Sequence, residues 1–491
     1  MTLKFHNTLS GEIDEFKPQT PGKALIYTCG PTVYDYATIG NLASYIYWDT
    51  LVRVLMANNY QVVRVMNITD VGHLTSDADE GEDKLEKGAK RDGKNAWEIA
   101  SFYTKAFISD INQLNFIQPQ YLAKASDYIP DQLNLIRKLK EKGYTYQIDD
   151  GIYFDTSKFP TYADFAHLDL DAQKAGARVE FNPEKRNHSD FALWKFTPTG
   201  TKRDMEWEAP SDLLDSGTQK VMGFPGWHLE CSAISMAILG ETLDIHTGGI
   251  DHIPVHHTNE IAQSEAANGV KFCNYWLHNE FLKVNGTKIS KSLGNYFTLS
   301  DLVKKGFSPL DFRMFVLQGN YRNEGNFTFE GLQAAKNRLL NWRNIAALRH
   351  QTHDTIKSDA DTNQDEKTVS LYATPQALIE ALNDDLGTPE GLKIIDDAFS
   401  TLLSKKLASI NQAALIQLLQ TIDDVLGLKL LETTPDIDDE TKQFIIQRNT
   451  FRDLKQWDKA DEIRNQLLDR GIVLRDSQNE TIWEYSNKVS D

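Results

Sequence analysis

The sequence predicts an α/β protein built on a parallel sheet, followed by a helical part and a small terminal module. Three observations lead there. A strand, a helix and a strand follow one another between Lys23 and Ile68, sheet-like signals resume at Thr242 after an inserted stretch, and the chain is persistently helical beyond about Glu324. With 491 residues the chain has room for several domains, because single cores stop growing near about 250–300 residues.

Lys23 to Gly30 (KALIYTCG) is an apolar run rich in β-formers that ends at Gly30 and Pro31, the pattern of a buried strand. From Gly40 onward, Tyr45, Trp48, Val52 and Leu55 recur at helical spacing and make one apolar stripe that stops near Asn58 and Asn59. Gln61 to Ile68 (QVVRVMNI) reads as a second buried strand, which completes a βαβ unit with a right-handed crossover. Thr75 to Lys94 is rich in Asp, Glu, Lys and Gly and reads as a mobile surface connection. Tyr144 to Phe154 reads as a hairpin closed at Asp149, Asp150 and Gly151, inside the inserted stretch. Gly226 to Ser235 opens a helix, and Thr242 to His246 is strand-like. In the helical part, Leu332, Ala335, Leu339 and Trp342 are in register, and the polar run Ser358 to Lys367 reads as an exposed linker. The last segment, Thr441 to Asp491, carries an amphipathic helix from Ala460 to Leu468, a stop at Gly471, a strand-like Ile472 to Leu474 and a final Trp483.

Hydrophobic residues at 41% and charged residues at 25% describe an ordinary globular protein. No stretch approaches the roughly 20 apolar residues of a membrane span. Met1 to Glu15 lacks a basic region followed by an apolar one, so the cytoplasm is the expected location. A net charge of −18 argues against coating nucleic acid through bulk charge and leaves room for a local basic face. The three cysteines, Cys29, Cys231 and Cys273, are too few and too scattered for a disulfide framework.

His256 and Glu260 are four apart in PVHHTNEIAQSEAANG, where Pro254 suits a helix start and Asn268-Gly269 its end, so both can reach one ion from one helical face, a spacing that also occurs by chance without a metal. Cys29, at the end of the first strand, and Cys231, in GWHLEC, complete a four-donor set for zinc if the sheet brings them together. A buried free thiol is the other reading for each cysteine, and Cys273 keeps it. Thr38, Ile39, Gly40 and Asn41 lie where the first strand meets its helix, a place for phosphate or for an ordinary helix start. Lys288 to Ser292 (KISKS) is a cationic loop able to close over phosphates or simply to be solvated.

Order and spacing decide among these. CGPTVYDYATIGN at Cys29 to Asn41, NITD at Asn67 to Asp70, DFALWK at Asp190 to Lys195, GWHLECSA at Gly226 to Ala233, the GGID and HHTNEIAQSEA run from Gly248 to Ala266, and KISKSLGN at Lys288 to Asn295 occur in one sequence. Together they resemble the cysteinyl-tRNA synthetases, a family of class I aminoacyl-tRNA synthetases. The resemblance implies a Rossmann-type catalytic domain, its first half at 1–120 and its second at 211–323 with the KISKS loop. A connective insertion at 121–210 separates them. A helical stem and bundle follows at 324–435 with a linker near 355–368, and an anticodon-binding module occupies 436–491.

The resemblance also implies roles. One Zn²⁺ per chain falls on Cys29, Cys231, His256 and Glu260. Gly30, Thr69 and Trp227 enclose the substrate cysteine. Thr38, Gly40, Asn41, Lys288 and Lys291 carry the chemistry, and Ile39, Asp251, Ser290 and Ser292 join them in holding ATP with its Mg²⁺. Arg452, Trp457, Asp461 and Asp476 read the anticodon by stacking and base-edge hydrogen bonds. The implied partners are tRNA(Cys), ATP and cysteine, for a monomer that meets no membrane. Thr38 stands where the first signature usually begins with histidine, as in the TIGN form of tryptophanyl-tRNA synthetases, and Thr258 stands where the family usually has Glu. Two alternatives are a ligase joining cysteine to a small amine, which needs no Arg452 to Asp476 module, and a zinc-containing tRNA binder without catalysis, which needs no Lys288 and Lys291.

Overall fold

The computed structural model of the chain describes all residues except 1, 73–83, 169–181, 217–219, 291–292, 352–365, 405–406, 408–409, 478–479 and 487–491. Five parallel strands form the central sheet: Lys23–Thr28, Gln61–Ile68, Tyr121–Lys124, Leu243–Gly249 and Cys273–Asn279. Counted along the chain, they lie in the spatial order 3-2-1-4-5. The order reverses between Lys23–Thr28 and Leu243–Gly249, and in open α/β sheets ligands sit outside the carboxyl ends of the strands at such a switch point.

The first crossover helix, Ile39–Ala57, starts at Thr38, whose hydroxyl accepts from the Asn41 backbone N–H while the Asn41 side chain reaches back to the Thr38 N–H. That capping box satisfies two orphan donors of the first turn. Tyr45, Trp48, Val52 and Leu55 are buried along the helix, as their spacing predicts. Thr75 to Lys94 departs from the predicted connection. Lys84–Asp92 is a helix whose Leu85 and Ala89 join the core, because two apolar residues four apart suffice to seat a short amphipathic turn. The acidic stretch before it lies outside the described residues.

The hairpin forms as expected, Thr145–Ile148 pairing antiparallel with Gly151–Phe154 across Asp149 and Asp150. It belongs to a five-stranded antiparallel sheet with Phe191–Phe196, Met222–Pro225 and Trp207–Glu208. Strand pairing therefore shifts both edges of the expected 121–210 insertion. Tyr121–Lys124 extends the parallel sheet through Val65 to Ile68, and Met222–Pro225 closes the antiparallel one. Neither short strand shows its partner in local sequence.

Beyond the sheet, a short strand Gly325–Phe327 precedes the helix Phe329–Ala347, which buries Leu332, Ala335, Leu339 and Trp342. The helices Glu366–Asn383, Thr388–Leu403 and Gln412–Leu426 follow, so Glu366 and Lys367 are helical and the rest of the predicted linker lies outside the described residues. The chain ends in two helices, Asp439–Asp453 and Trp457–Asp469, packed on the hairpin Ile472–Ser477 and Glu480–Tyr485 around Ile463, Leu467, Leu474 and Trp483. Among the described residues no helix is long and apolar enough to cross a membrane.

Candidate active site

Cys29 follows the first sheet strand directly, and Gly248 and Gly249 end its neighbour, so both flank the switch point. The chain after Gly249 passes through two short helical turns, Ile250–His252 and Ile253–His257, into the helix Thr258–Asn268, which ends at Gly269 in the left-handed region with φ of 76°. Helical spacing places His256 Nε2 2.9 Å from Glu260 Oε1. Cys231 sits in the helix Trp227–Leu239, and its thiol lies against Cys29 and His256.

All four predicted donors are buried. Among the described residues, Cys29, His256, His257 and Glu260 form a donor group whose ligand atoms lie within 4.8 Å of one another. His257 Nε2 is 3.5 Å from Cys29 Sγ, and its Nδ1 is 2.7 Å from His278 Nε2. His257 was not singled out in the sequence. Its signal was the doubled histidine directly before the helix. His246 and His228 were also missed. His246 Nε2 is 3.0 Å from Glu260 Oε2, and His228 Nδ1 is 2.9 Å from His256 Nδ1, so both fix the outer faces of donor residues.

The electrostatics suit a cation. Burial alone would raise the Glu260 carboxyl, but His246 and His256 hold it down at about 2. Burial opposes protonation of His256, yet Glu260 and Cys231 outweigh it and keep the imidazole well above its ordinary value. Burial raises both thiols, Cys231 strongly. Glu260 Oε1 is fully buried and, among the described residues, has only the 2.9 Å approach of His256 Nε2, which falls short of hydrogen-bond geometry. An ionised carboxylate oxygen left that way is costly, and a divalent cation among two sulfurs, an imidazole and that oxygen would satisfy it. The residues present fit such an ion.

Three neighbouring cavities meet at Asn41, and the first of them opens over this floor. The first, about 240 Å³, is lined by Cys29, Gly30, Thr69, Trp227, Cys231 and His256. Gly30 has no room for a side chain, because a Cβ would lie 1.7 Å from the Asn67 carbonyl oxygen. Asn67 accepts from the Gly30 N–H at 2.6 Å and donates to the Thr69 hydroxyl, which donates to Glu230 at 3.1 Å. The Trp227 ring lies 5.3 Å from that of His256. The second cavity, also about 240 Å³, is lined by Thr38, Gly40, Asn41, Asp251, Lys288 and Ile289. A Cβ on Gly40 would meet the Ile289 side chain at 2.9 Å, so the predicted phosphate loop packs on the predicted helix start. Lys291 and Ser292 lie outside the described residues. The third cavity, about 200 Å³, lies beyond Trp227. Asn41 lines all three.

Thr38 donates its hydroxyl proton to Asn41 Oδ1 at 2.7 Å. The threonine thus serves the helix start and Asn41, leaving Asn41 Nδ2 with no partner among the described residues. The Thr258 hydroxyl donates to the Ile253 carbonyl at 2.7 Å, inside the turn that carries His256. Cys273 is a buried strand residue whose thiol contacts the Tyr275 carbonyl at 3.3 Å, away from the donor group.

In the terminal module Trp457 is 57% exposed and Asp461 is exposed. Asp476 is held by arginines. It takes two bonds from Arg448 and one from Arg452, and Arg448 foremost holds its carboxyl at about 2. These contacts fix the carboxylate beside Arg452.

The fold, with this site at the carboxyl ends of its strands, is that of the class I aminoacyl-tRNA synthetases. A solved methionyl-tRNA synthetase of Mycobacterium tuberculosis in complex with methionyl-adenylate superposes with a TM-score of 0.57 at 15% identity, covering 84% of this chain and 91% of that one. The family model for the tRNA synthetases class I (C) catalytic domain matches residues 15–337, and that for the cysteinyl-tRNA ligase anticodon binding domain matches 434–483. A cysteine–tRNA ligase of Treponema denticola is 42% identical over 99% of this chain and all of that one. Another, from Burkholderia lata, is 42% identical over 97% of this chain and 96% of its own length. The chain belongs to the cysteinyl-tRNA ligase family.

Proposed function

We infer that this chain is a cysteine–tRNA ligase, which uses ATP to activate cysteine and transfers it to the terminal ribose of tRNA(Cys). The observation that carries the reading is the adjacency at Asn41 of a cavity floored by two thiols and an imidazole to a cavity walled by Gly40 and Lys288. The substrate carboxylate oxygen attacks the α-phosphorus as the bond to pyrophosphate breaks. No protein nucleophile takes part, so the chain's work is positioning and charge compensation. Lys288 and the first-turn amides of the helix Ile39–Ala57 neutralise phosphate oxygens, joined by Lys291, with Asp251 on the adenosine side; Mg²⁺ brought with ATP would add to the charge compensation.

Cys29, Cys231, His256 and Glu260 would hold a zinc ion. Cys231 is preferred to His257 for the place that faces the substrate because it lines the substrate cavity with Cys29 and His256, while Glu260 closes the set from behind His256. Bound Zn²⁺ favours a thiolate strongly over an alcohol, a chemical discrimination larger than a pocket gains from one-atom differences. Trp227 walls the pocket, Gly30 lets the backbone come close, and Thr69 has its hydroxyl oriented by Asn67 and Glu230.

The test is charging of total tRNA with labelled cysteine by untreated and metal-stripped protein, with serine as competitor. Metal-dependent charging of one cysteine acceptor supports the reading. No charging by folded, zinc-loaded protein overturns it. In the terminal module, base stacking on exposed Trp457 is worth about 1–3 kcal/mol. Trp457→Ala is expected to raise KM for tRNA roughly 5- to 100-fold while leaving cysteine-dependent pyrophosphate exchange unchanged. Equal loss in both assays would count against an anticodon role.

A further inference from the structure

We propose that the Tyr27 hydroxyl donates a hydrogen bond to the metal-bound sulfur of Cys231 and so positions the thiol-selective centre. This rests on the reading of Cys29, Cys231, His256 and Glu260 as a zinc site and adds the residue that holds Cys231 from behind. Tyr27 lies in the strand Lys23–Thr28, two residues before Cys29. Side chains two apart along a strand share a face of the sheet, and on that face Tyr27, Cys29 and Cys231 pack in one buried cluster. The neighbouring strand sets His246 in register with Tyr27, and the two rings meet edge to face with centres 5.1 Å apart.

Three of the four donors already have an outer partner. His228 Nδ1 stands 2.9 Å from His256 Nδ1, His246 Nε2 stands 3.0 Å from Glu260 Oε2, and His257 Nε2 stands 3.5 Å from Cys29 Sγ. Such groups orient metal ligands and tune their charge. For Cys231 the group in that place is Tyr27, whose hydroxyl lies within reach of the Cys231 sulfur, with Cys29 and Glu260 close by.

The hydroxyl also has an unmet need. Tyr27 is fully buried, and its oxygen has no hydrogen bond of good geometry among the described residues. A buried hydroxyl left unpaired is costly. A neutral thiol is a weak acceptor, so Cys231 meets the need poorly while it keeps its proton. A cation held by these donors requires the sulfur as thiolate, and a charged acceptor makes the stronger hydrogen bond. Burial and the neighbouring sulfurs hold the Tyr27 phenol well above its ordinary value, so it stays a donor. Drawing charge off the Cys231 sulfur leaves a bound ion better able to attract a substrate thiolate. Because its ring is fully buried, Tyr27 acts through Cys231 and is a positioning residue.

Tyr27→Phe removes the oxygen and keeps the packed ring. It is expected to weaken zinc binding about 10- to 100-fold in competition with a chelator. In protein loaded with Co²⁺, the sulfur-to-cobalt charge-transfer band should move to longer wavelength, since a thiolate without its hydrogen bond gives up electron density more readily. In pyrophosphate exchange KM for cysteine should rise, with KM for ATP unaltered. The metal-free variant should be at least as stable to urea as the metal-free wild type, because the hydroxyl it lacks has no well-formed partner there. Equal loss of stability with and without metal would assign Tyr27 to the core alone and overturn the proposal. So would a cobalt band that does not move. Absence of any sulfur-to-cobalt band from the wild type would instead be failure of the zinc reading.

Discussion

Cys231→Ser is expected to lower kcat/KM for cysteine in pyrophosphate exchange by more than about 1,000-fold, the equivalent of roughly 4 kcal/mol. The hydroxyl is a poor donor for a borderline-soft cation, and its shorter reach leaves the buried Glu260 oxygen and the Cys29 thiol without the charge that balances them. The same variant should release its metal to a competing chelator at far lower concentration than the wild type. His257→Asn is the comparison that separates the two candidate donor sets. It should keep its metal, because the three sulfur and imidazole donors facing the cavity remain. Retention of metal and near-normal exchange by Cys231→Ser, with loss of both in His257→Asn, would put His257 in the fourth place.

Asp49→Ala is expected to cost about 3–5 kcal/mol of stability, measured as the shift in urea midpoint at constant slope. Asp49 is fully buried and binds Arg53 at 2.7 Å, Arg313 at 2.5 Å and the Ile117 N–H at 2.7 Å. Those arginines also donate to carbonyls of Leu114, Asp423, Asp424 and Leu426, so one carboxylate joins the helix Ile39–Ala57 to the helix Gln412–Leu426. Arg64, also buried, lies within its field with two guanidinium nitrogens that have no hydrogen-bond partner among the described residues. Removing Asp49 leaves three buried cations without their anion. Burial pushes the Asp49 carboxyl up, but Arg313 and Arg53 outweigh it and hold it below its ordinary value. The unfolded carboxyl titrates near 3.9, so this contribution is complete above about pH 5 and is lost as pH falls through the lower folded value. The difference between wild type and Asp49→Ala should thus be flat near neutrality and shrink below about pH 4. A cost under about 1 kcal/mol at pH 7 would show that the cluster is not what joins these elements.

Much of this molecule was legible from local pattern. Buried strands of the parallel sheet read as continuous apolar runs, because both faces are covered, and KALIYT and QVVRVMNI are such runs. Helix faces and ends followed from spacing and caps, as at Thr38 and Gly269. The pairing of His256 with Glu260 followed from helical geometry alone. The signature segments carried the resemblance to the cysteinyl-tRNA synthetases, and the family comparisons agree with it.

What the chain could not state locally was which distant groups share a charge or a wall. Tyr121–Lys124 and Met222–Pro225 are too short to announce their sheets, and only pairing decided their membership. The pairing of Asp476 with Arg448 and Arg452 is seen only in the folded module. Cys29 and Cys231 stand two hundred residues apart in sequence, and they meet because the strand order reverses beside them. Local sequence determined the elements and their donors, since propensity, capping and helical spacing act over a few residues. Tertiary structure alone decided which side chains converge, since burial and Coulomb energy depend on distance in space and not along the chain.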